Sequence, residues 1–396
     1  MTISLRPHQQ RILDRMLAYD KGQVIVPTGG GKTLTMIVDT QRRHNTINNG
    51  TTTVVVAPRI LLAEQLCSEF MEIVDTAHTH VMHVHSGETH YFSTTKSEKI
   101  ALFNNVARTA GENVIIFTTY HSLHRVVDAD IEVNTIYFDE AHNSVQRHFF
   151  PATEFFAENA DRCYFYTATP KHSLTPKKPG MNWSVYGQVI ANVPAPELVE
   201  QGYILPPKVV IKKLDIIKGR KVMYAEDSDN LLETIDDNKI DKTLICARTT
   251  KQIVGLISQS DFCVQLYRRG YSWMTITSKT GAIIDGKKVD REEFFNTLNT
   301  WGKDPSKKFV CIHHSILSEG INVKGLEAVI FMRNMDYIGI SQSIGRVIRL
   351  GAESKTFGLV CVPTYDSVGI STARKVQAVV DVVFNQGQPA ISEIRR

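Results

Sequence analysis

The sequence contains little that would indicate a secreted or membrane-bound protein. Its six cysteines include no C-x-x-C pair, and most lie in apolar runs such as Leu244–Ala247. Such cysteines are typical of buried, reduced thiols in a cytosol-like compartment. The first residues form no charged-then-apolar leader, and no apolar run approaches the roughly 20 residues that a membrane span needs. We therefore expect an intracellular protein, in the cytoplasm or a comparable compartment, with no membrane partner.

Short repeats, low-complexity blocks and a strong charge of one sign are also absent. The formal net charge of +4 is weakly basic. It permits nucleic-acid binding without indicating it, because a protein can concentrate its positive groups in one groove. A hydrophobic fraction of 42% and a charged fraction of 22% are typical of globular proteins. A length of 396 residues exceeds one ordinary core and predicts two domains.

Short apolar runs alternate with helical patterns in both halves of the chain. This alternation predicts α/β domains in which a parallel sheet is flanked by helices. In the first half the expected strands are Val24–Val26, Thr53–Ala57, Val114–Phe117, Thr135–Phe138 and Cys163–Tyr166. In the second half they are Thr243–Ala247, Tyr271–Thr277, Lys308–His313, Ala328–Phe331 and Thr356–Val362. Four prolines between residues 192 and 207 indicate a connector between the halves.

A glycine-rich turn follows the first apolar run. Residues Pro27–Thr33 read Pro-Thr-Gly-Gly-Gly-Lys-Thr, with Val26 at the first glycine position of the general G-x-x-x-x-G-K-[ST] pattern. Glycines let the backbone approach a polyphosphate closely, the lysine neutralises its charge, and the threonine hydroxyl can ligate Mg²⁺. We predict that ATP phosphates bind Thr28, Gly29, Gly30, Gly31, Lys32 and Thr33.

Two carboxylates follow the apolar run that ends at Phe138. Asp139, Glu140, Ala141 and His142 stand at the carboxyl end of an expected strand, which is where open α/β sheets bind ligands. Asp139 is suited to holding Mg²⁺, and Glu140 to orienting and deprotonating the attacking water. A solvated acidic strand end is the plainer alternative.

The third segment lies far downstream. Arg346 and Arg349 are three residues apart, which places them on one face of an expected helix at Ile340–Ile348. Planar guanidinium groups suit the charge that develops on a transferred phosphoryl group, and such an arginine contributes about 10³- to 10⁵-fold in rate. We predict that both arginines and Lys32 act with Glu140 in catalysis. An exposed basic helix face is the alternative.

The order of these segments resembles that of superfamily 2 helicases and translocases, and the resemblance covers nearly the whole chain. It implies two RecA-like lobes with ATP in the cleft between them and nucleic acid across their tops. The expected divisions are lobe 1 at 1–193, a linker at 194–207 and lobe 2 at 208–396. The segments similar to motifs I, II, III, V and VI are Pro27–Thr33, Asp139–His142, Thr167–Thr169, Ser318–Asn322 and Gln342–Arg349.

The resemblance implies further roles around the nucleotide. Leu5–Gln9 is similar to the element whose glutamine reads the adenine edge, so Gln9 is the candidate, with Gln10 as the alternative. Gly320 would let the backbone of motif V approach the nucleotide, and Gln342 belongs to motif VI. The residues expected to couple hydrolysis to the grip on the strand are His142, Thr167 and Thr169.

Nucleic-acid contacts also follow from the resemblance. Ala57–Arg59 and Thr118–Tyr120 are similar to motifs Ia and Ib, which bind the phosphate backbone in this family. The predicted contacts are Arg59, Thr118, Thr119, Arg248 and Ser318. The segment 315–349 looks most like the motor parts of restriction enzymes and of phage or viral DNA helicases, which favours DNA over RNA.

These observations predict an ATP- and Mg²⁺-dependent helicase or translocase that acts as a monomer, with a nuclease or accessory domain as a candidate partner. A restriction-type motor that moves along duplex DNA without unwinding it is one alternative. A phosphate-loop ATPase with no nucleic-acid partner is another, although it leaves motifs Ia, V and VI unexplained.

We assign no function to two polar stretches of the sequence. The histidines between His78 and His90 alternate with valines, which favours a strand with a polar face over a metal site. Lys171, His172, Lys177 and Lys178 surround a proline-rich segment after motif III, and we interpret it as a solvated loop rather than a DNA contact.

Overall fold

A parallel β-sheet organises the first half of the chain. The computed structural model describes residues 4–46, 50–87, 89–214, 223–277, 279–314, 325–332, 335–349, 357–365, 370–384 and 392–395. The chain divides into two compact units, Met1–Val193 and Pro194–Arg396.

The first unit alternates strands and helices along most of its length. Its helices are α1 (Pro7–Ala18), α2 (Lys32–Thr46), α3 (Ile60–Met71), α4 (Ser97–Thr109), α5 (Leu123–Val127) and α6 (Phe150–Asn159). Its strands are β1 (Lys21–Ile25), β2 (Thr52–Ala57), β3 (Thr79–Val84), β4 (Phe92–Ser93), β5 (Asn113–Thr119), β6 (Thr135–Phe138), β7 (Arg162–Thr167) and β8 (Val189–Asn192).

These strands form one sheet in the order β4-β3-β5-β2-β6-β7-β1-β8. Every pairing between neighbours in the described residues is parallel. The carboxyl ends of β1, β2, β5, β6 and β7 therefore lie along the same edge of the sheet. All residues of β2, β5, β6 and β7 are buried, as expected for parallel strands covered on both faces.

A buried polar network fastens α2 to this sheet. The Arg162 guanidinium donates to both carboxylate oxygens of Asp39, at 2.8 and 3.1 Å, and to the Met16 carbonyl at 3.1 Å. The Tyr137 hydroxyl donates to Asp39 at 2.5 Å. A buried ion pair of this kind is costly to break, because removing one partner leaves an uncompensated charge. The network joins α1, α2, β6 and β7 behind the segment that connects β1 to α2.

The second unit has the same alternation. Its helices are α7 (Ala195–Glu200), α8 (Met223–Asp237), α9 (Thr250–Ser258), α10 (Phe262–Arg268), α11 (Arg291–Lys303), α12 (Tyr337–Val347) and α13 (Ile370–Val379), which a π-helical turn continues. Its strands are β9 (Pro207–Leu214), β10 (Lys242–Cys246), β11 (Ser272–Thr277), β12 (Gly281–Ile284), β13 (Lys287–Val289), β14 (Phe309–His313), β15 (Ala328–Phe331), β16 (Gly358–Tyr365) and β17 (Ser392–Arg395).

The sheet of the second unit runs in the order β13-β12-β11-β14-β10-β15-β16-β9-β17. Its pairings are parallel except for β11–β12 and β12–β13, which form an antiparallel extension at one edge. The turn between β12 and β13 contains Asp285 and Gly286, both with positive φ, as a tight two-residue hairpin requires. The predicted α/β class, with a mostly parallel sheet flanked by helices, is confirmed for both units.

Some elements differ from the sequence-based expectations. The stretch 194–207, expected as a linker, contains α7 with Ala195 and Leu198 buried in the second unit. The helix expected at Ile340–Ile348 is α12, which ends at Val347, and the Ile348 carbonyl beyond it accepts from the Leu205 amide at 2.6 Å. Arg349 therefore follows the last residue of the helix, and its sharing a face with Arg346 stays a prediction.

The histidine-rich stretch contains strand β3, as predicted, and its histidines are divided between solvent and core. His78, His80 and His90 are exposed. His83 and His85 are buried, and their ring nitrogens Nδ1 and Nε2 lie 2.9 Å apart. Burial lowers the pKa of His83 to about 4. Within the ranges given above, no helix is long and apolar enough to cross a lipid bilayer.

Candidate functional site

The glycine turn between β1 and α2 is held by side chains of α1 and its N-cap. The Arg6 guanidinium approaches the Gly29 carbonyl at 3.4 Å, the His8 ring nitrogen Nε2 lies 2.7 Å from the Gly30 carbonyl, and the Gln9 amide donates to the Gly31 carbonyl at 3.2 Å. In a planar trans peptide the carbonyl and the following N–H point in opposite directions. The amides of Gly31 and Lys32 are therefore directed away from α1, as an anion-binding turn at a helix N-terminus requires.

A side chain at Gly31 would displace the end of the Gln9 side chain. Its φ is +78°, and a Cβ atom at this position would lie 2.3 Å from the Gln9 amide nitrogen. Left-handed backbone costs a residue with a Cβ roughly 1–2 kcal/mol. The steric conflict comes in addition to this backbone cost.

We expect Gly31→Ala to weaken nucleotide binding on the order of tenfold, since about 1.4 kcal/mol corresponds to this factor. The added methyl group would push Gln9 off the Gly31 carbonyl and shift the turn. Gly270 has the same φ of +78° and nothing within 4 Å of its ideal Cβ, so Gly270→Ala is the matched control. Titration with a fluorescent ATP analogue checks the result, and equal affinity in both variants would contradict it.

Lys32 faces the acidic segment that follows β6. Its ammonium group donates to Glu140 Oε1 at 3.2 Å, and both side chains are 12% exposed. The second carboxylate oxygen of Glu140 lies 3.6 Å from His142 Nδ1. That ring nitrogen also lies 3.0 Å from the Thr167 hydroxyl at the end of β7. A continuous polar chain thus joins Lys32, Glu140, His142 and Thr167.

Asp139 and Glu140 are both buried, and Lys32 forms an ion pair with Glu140. Burial and the adjacent Glu140 carboxylate raise the pKa of Asp139 to about 7, while the Lys32 charge opposes the rise. Glu140 has φ +47° and ψ +53°, a left-handed conformation that is uncommon outside glycine and frequent at functional sites. The Tyr120 hydroxyl donates to the Asp139 carbonyl at 2.8 Å and stabilises the turn that contains Asp139 and Glu140.

The predicted coupling residues lie beside this chain. The Thr167 hydroxyl accepts from the Thr169 amide at 3.1 Å in addition to its contact with His142. The Thr169 hydroxyl is buried and finds no hydrogen-bond partner in the described part of the chain. Buried hydroxyls are ordinarily satisfied, so this atom is a candidate for a contact that forms in another state.

Gln9 supports the glycine turn. Its side chain is 2% exposed, its carbonyl oxygen accepts from the Arg6 amide at 2.9 Å, and its amide holds Gly31. Gln10, the alternative, is exposed and bonded to Asp14. The adenine contact stays a prediction, whereas the role of Gln9 in supporting the turn is visible in the structure.

The residues expected to touch nucleic acid separate into two groups. Arg59 and Arg248 are exposed, each after the carboxyl end of a strand. Thr118 is fully buried and donates its hydroxyl to the Val84 carbonyl at 2.8 Å, and Thr119 is 3% exposed. Threonine is favoured in buried strands, and β5 continues through both positions. The prediction that the Thr118 hydroxyl meets phosphate is therefore corrected.

In the second unit, Gln342 and Arg346 belong to α12 and are buried, and Arg349 is half-buried. Ser318 and Gly320 lie outside the described residues. Sequence patterns did not indicate the support that Arg6 and His8 give to the glycine turn, although both stand in the segment resembling the adenine-reading element. Nor did they indicate the bond from Tyr120, which lies in the segment similar to motif Ib, or the Asp39–Arg162 pair.

Thr33 and Asp139 are the predicted Mg²⁺ ligands. Thr33 is the second residue of α2 and half-buried, and Asp139 is 7% exposed. A threonine hydroxyl and a carboxylate supply the oxygen ligands that Mg²⁺ prefers in proteins. In the part of the chain that the structure describes, no group of three or more His, Cys, Asp or Glu side chains is arranged to hold a metal by itself.

Comparisons with known proteins found a matching family and several similar folds. Residues 2–172 match the family described as type III restriction enzyme, res subunit. A DNA-bound ATP-dependent type ISP restriction-modification enzyme, LlaBIII, superposes with a TM-score of 0.74 at 18% identity, covering 99% of this chain and 31% of that one. No curated protein sequence matches the chain significantly.

Two further solved structures share the fold. A fragment of an HsdR subunit of a type I restriction enzyme from Vibrio vulnificus has a TM-score of 0.63 at 15% identity, over 98% of this chain and 68% of that one. Mss116p bound to single-stranded RNA and AMP-PNP has a TM-score of 0.65 at 15% identity, over 99% and 74%. The chain spans about a third of the length of LlaBIII.

Proposed function

We propose that the chain is an ATP-dependent nucleic-acid translocase or helicase that acts on DNA. The observation that carries this proposal is the pairing of Lys32, at the end of the glycine turn, with Glu140 on the acidic turn after β6. A phosphate cradle and a carboxylate base thus face each other at one edge of a parallel sheet. The match of residues 2–172 to the restriction res subunit and the folds of the neighbours support the same reading.

The first unit would bind and position the triphosphate. The amides of Gly31 and Lys32 and the Lys32 ammonium would hold the phosphates, with Thr28, Gly29 and Gly30 completing the turn. Thr33 and Asp139 would hold Mg²⁺, which supplies charge neutralisation between the phosphates. Glu140 would accept a proton from the attacking water. Its contact with His142 would couple this step to Thr167.

The second unit would supply the groups that make hydrolysis dependent on closure. We propose that Arg346 and Arg349 reach the triphosphate when the units close around it, and that Gln342 and Gly320 border the same ligand. Arg59, Arg248, Thr119 and Ser318 would contact the nucleic-acid backbone. Loss of the phosphate contacts after hydrolysis would let the units separate. The contacts with nucleic acid would then move forward along the strand.

A restriction-type motor is the second candidate. It is favoured by the family match and by the two restriction-enzyme structures that share the fold. In this version the chain translocates duplex DNA without unwinding it, and a partner nuclease or accessory domain cleaves. We propose a monomeric motor in either version.

The test is the rate of ATP hydrolysis measured side by side with single-stranded DNA, duplex DNA, forked DNA and RNA. We expect stimulation by DNA, because closure of the units would depend on the strand. Stimulation by duplex alone, with no unwinding of a fork, would favour the restriction-type motor. A rate indifferent to all four nucleic acids would refute the motor and leave an ATPase with no nucleic-acid partner.

A further inference from the structure

A basic loop follows the strand that ends at Thr167. It runs from Pro170 to Met181 and is called the basic loop below. Because β7 is parallel to its neighbours, this loop starts at the same sheet edge as the glycine turn and the acidic turn. The sequence analysis interpreted it as a solvated loop, and the structure gives four reasons for a different interpretation.

The first reason is that the loop has internal order. The Ser173 amide donates to the Asn182 side-chain carbonyl at 2.8 Å, and the Asn182 side-chain amide returns a bond to the Ser173 carbonyl at 3.0 Å. The Met181 amide donates to the Lys171 carbonyl at 2.8 Å and closes the base of the loop. A loop that is ordered before it binds loses less entropy on binding.

The second reason is the base on which the loop stands. The buried side-chain amide of Gln23, in β1, donates to the Met181 carbonyl at 2.9 Å. Gly180 is packed so closely that a Cβ would lie 2.2 Å from the Ser173 amide nitrogen. The end of the loop is thus tied to the strand that leads into the glycine turn.

The third reason is charge. Lys171, His172, Lys177 and Lys178 are all exposed, and residues 170–183 contain no aspartate or glutamate. Among the described residues, the three lysines form no ion pair within 4.0 Å. A cluster of cations without internal compensation is complementary to a polyanion.

The fourth reason is the apolar tip. Leu174 is fully exposed, at 102% of its reference area, between the two groups of cations. An isolated exposed leucine is ordinary on a protein surface. Flanked by lysines on an ordered loop, however, it has the arrangement by which proteins place an apolar side chain against a base while cations hold the phosphates.

We propose that the basic loop grips nucleic acid, with Lys177 and Lys178 on backbone phosphates and Leu174 against an unstacked base. This inference rests on the proposed function and assigns a contact element to it. The loop adjoins Thr167 and Thr169, so a strand held by it would be coupled through His142 to Glu140.

The test uses two variants of the whole chain and two matched controls. Lys177→Gln/Lys178→Gln removes the pair of charges, and Lys287→Gln/Lys288→Gln removes an exposed lysine pair from strand β13 of the other unit. Leu174→Ser removes the apolar tip, and Leu102→Ser, at 66% exposure on α4, is its control. Binding of a forked DNA carrying 2-aminopurine at the junction is measured by anisotropy and by fluorescence intensity.

We expect Lys177→Gln/Lys178→Gln to reduce the slope of log affinity against log salt by roughly 1.4–1.8, at about 0.7–0.9 per phosphate contact. Affinity near 0.1 M salt would fall on the order of tenfold. Leu174→Ser should abolish the rise in 2-aminopurine fluorescence at saturating protein. Both controls should behave as the wild-type protein does.

The outcomes separate this inference from the function on which it rests. A wild-type protein that binds no DNA and gains no ATPase activity from it would overturn both. A wild-type protein that binds DNA, with loop variants indistinguishable from the β13 and α4 controls, would overturn the loop assignment alone. A changed salt slope with unaltered 2-aminopurine fluorescence in Leu174→Ser would overturn the base contact.

Discussion

Glu140→Gln is expected to lower the rate of ATP hydrolysis by about 10²- to 10⁴-fold, the range that general acid–base catalysis contributes. The amide is isosteric with the carboxylate and cannot accept a proton from water at neutral pH. The glutamine side chain can still occupy the space beside Lys32, whose ammonium nitrogen lies 3.2 Å from Glu140 Oε1 in the wild-type protein. Nucleotide binding should therefore persist, and it should strengthen because Lys32 loses its competing partner.

Two measurements check this prediction: steady-state ATP turnover with saturating DNA and equilibrium binding of a fluorescent nucleotide. Glu98→Gln is a suitable control because Glu98 is an exposed residue in the first turn of α4. A Glu140→Gln protein that turns over ATP at the wild-type rate would show that another group deprotonates the water. Loss of nucleotide binding would show that Glu140 is needed to shape the cradle.

Arg346→Ala is expected to reduce DNA-stimulated turnover by about 10³- to 10⁵-fold, the contribution measured for arginine fingers in phosphoryl transfer. Arg346→Lys should restore little, because a compact ammonium group cannot replace the planar, bidentate guanidinium. Binding of nucleotide to the first unit should be nearly unchanged in both variants, since the groups proposed to hold the phosphates all come from that unit.

The control is Arg374→Ala, which removes an exposed arginine from α13 of the same unit. Because Arg346 is 4% exposed, thermal unfolding must accompany the kinetics and show that the second unit remains folded. If a folded Arg346→Ala protein keeps its DNA-stimulated rate, the second unit does not complete the catalytic site. The proposal of a shared triphosphate site would then fail.

Strand positions could be predicted well where strands are covered on both faces. β6 and β15 begin and end at the residues that the apolar runs indicated. Buried parallel strands read as continuous apolar segments, so their pattern is strong. Short strands at sheet edges, such as β4 and β13, carry mixed residues and were not predicted.

The chemical groups of the candidate site could be named from the sequence, but their contacts could not. Lys32 and Glu140 are 108 positions apart, and only the strand order brings β1 and β6 to one edge. Gln9 illustrates the same limit of sequence-based prediction. Its residue type fits an adenine contact, whereas in the structure its side chain bonds to Arg6 and Gly31.

Thr118 illustrates a further limit. Threonine serves equally as a phosphate ligand and as a β-branched strand residue, and its sequence neighbours do not distinguish the two. The position of Arg349 depended on where α12 ends, and a sequence pattern fixes a helix end only to within one or two residues.

The place of β1 in its sheet has a consequence for biosynthesis. Among the described strands of its unit β1 is synthesised first, yet its neighbours are β7 and β8, which are synthesised last. Pairings between segments so distant in sequence form slowly, because the closure of the intervening chain must come first. β1 therefore gains both of its neighbouring strands only after about residue 192 has been synthesised. In a shorter nascent chain, the glycine segment that follows β1 does not yet form a complete pocket for a nucleotide.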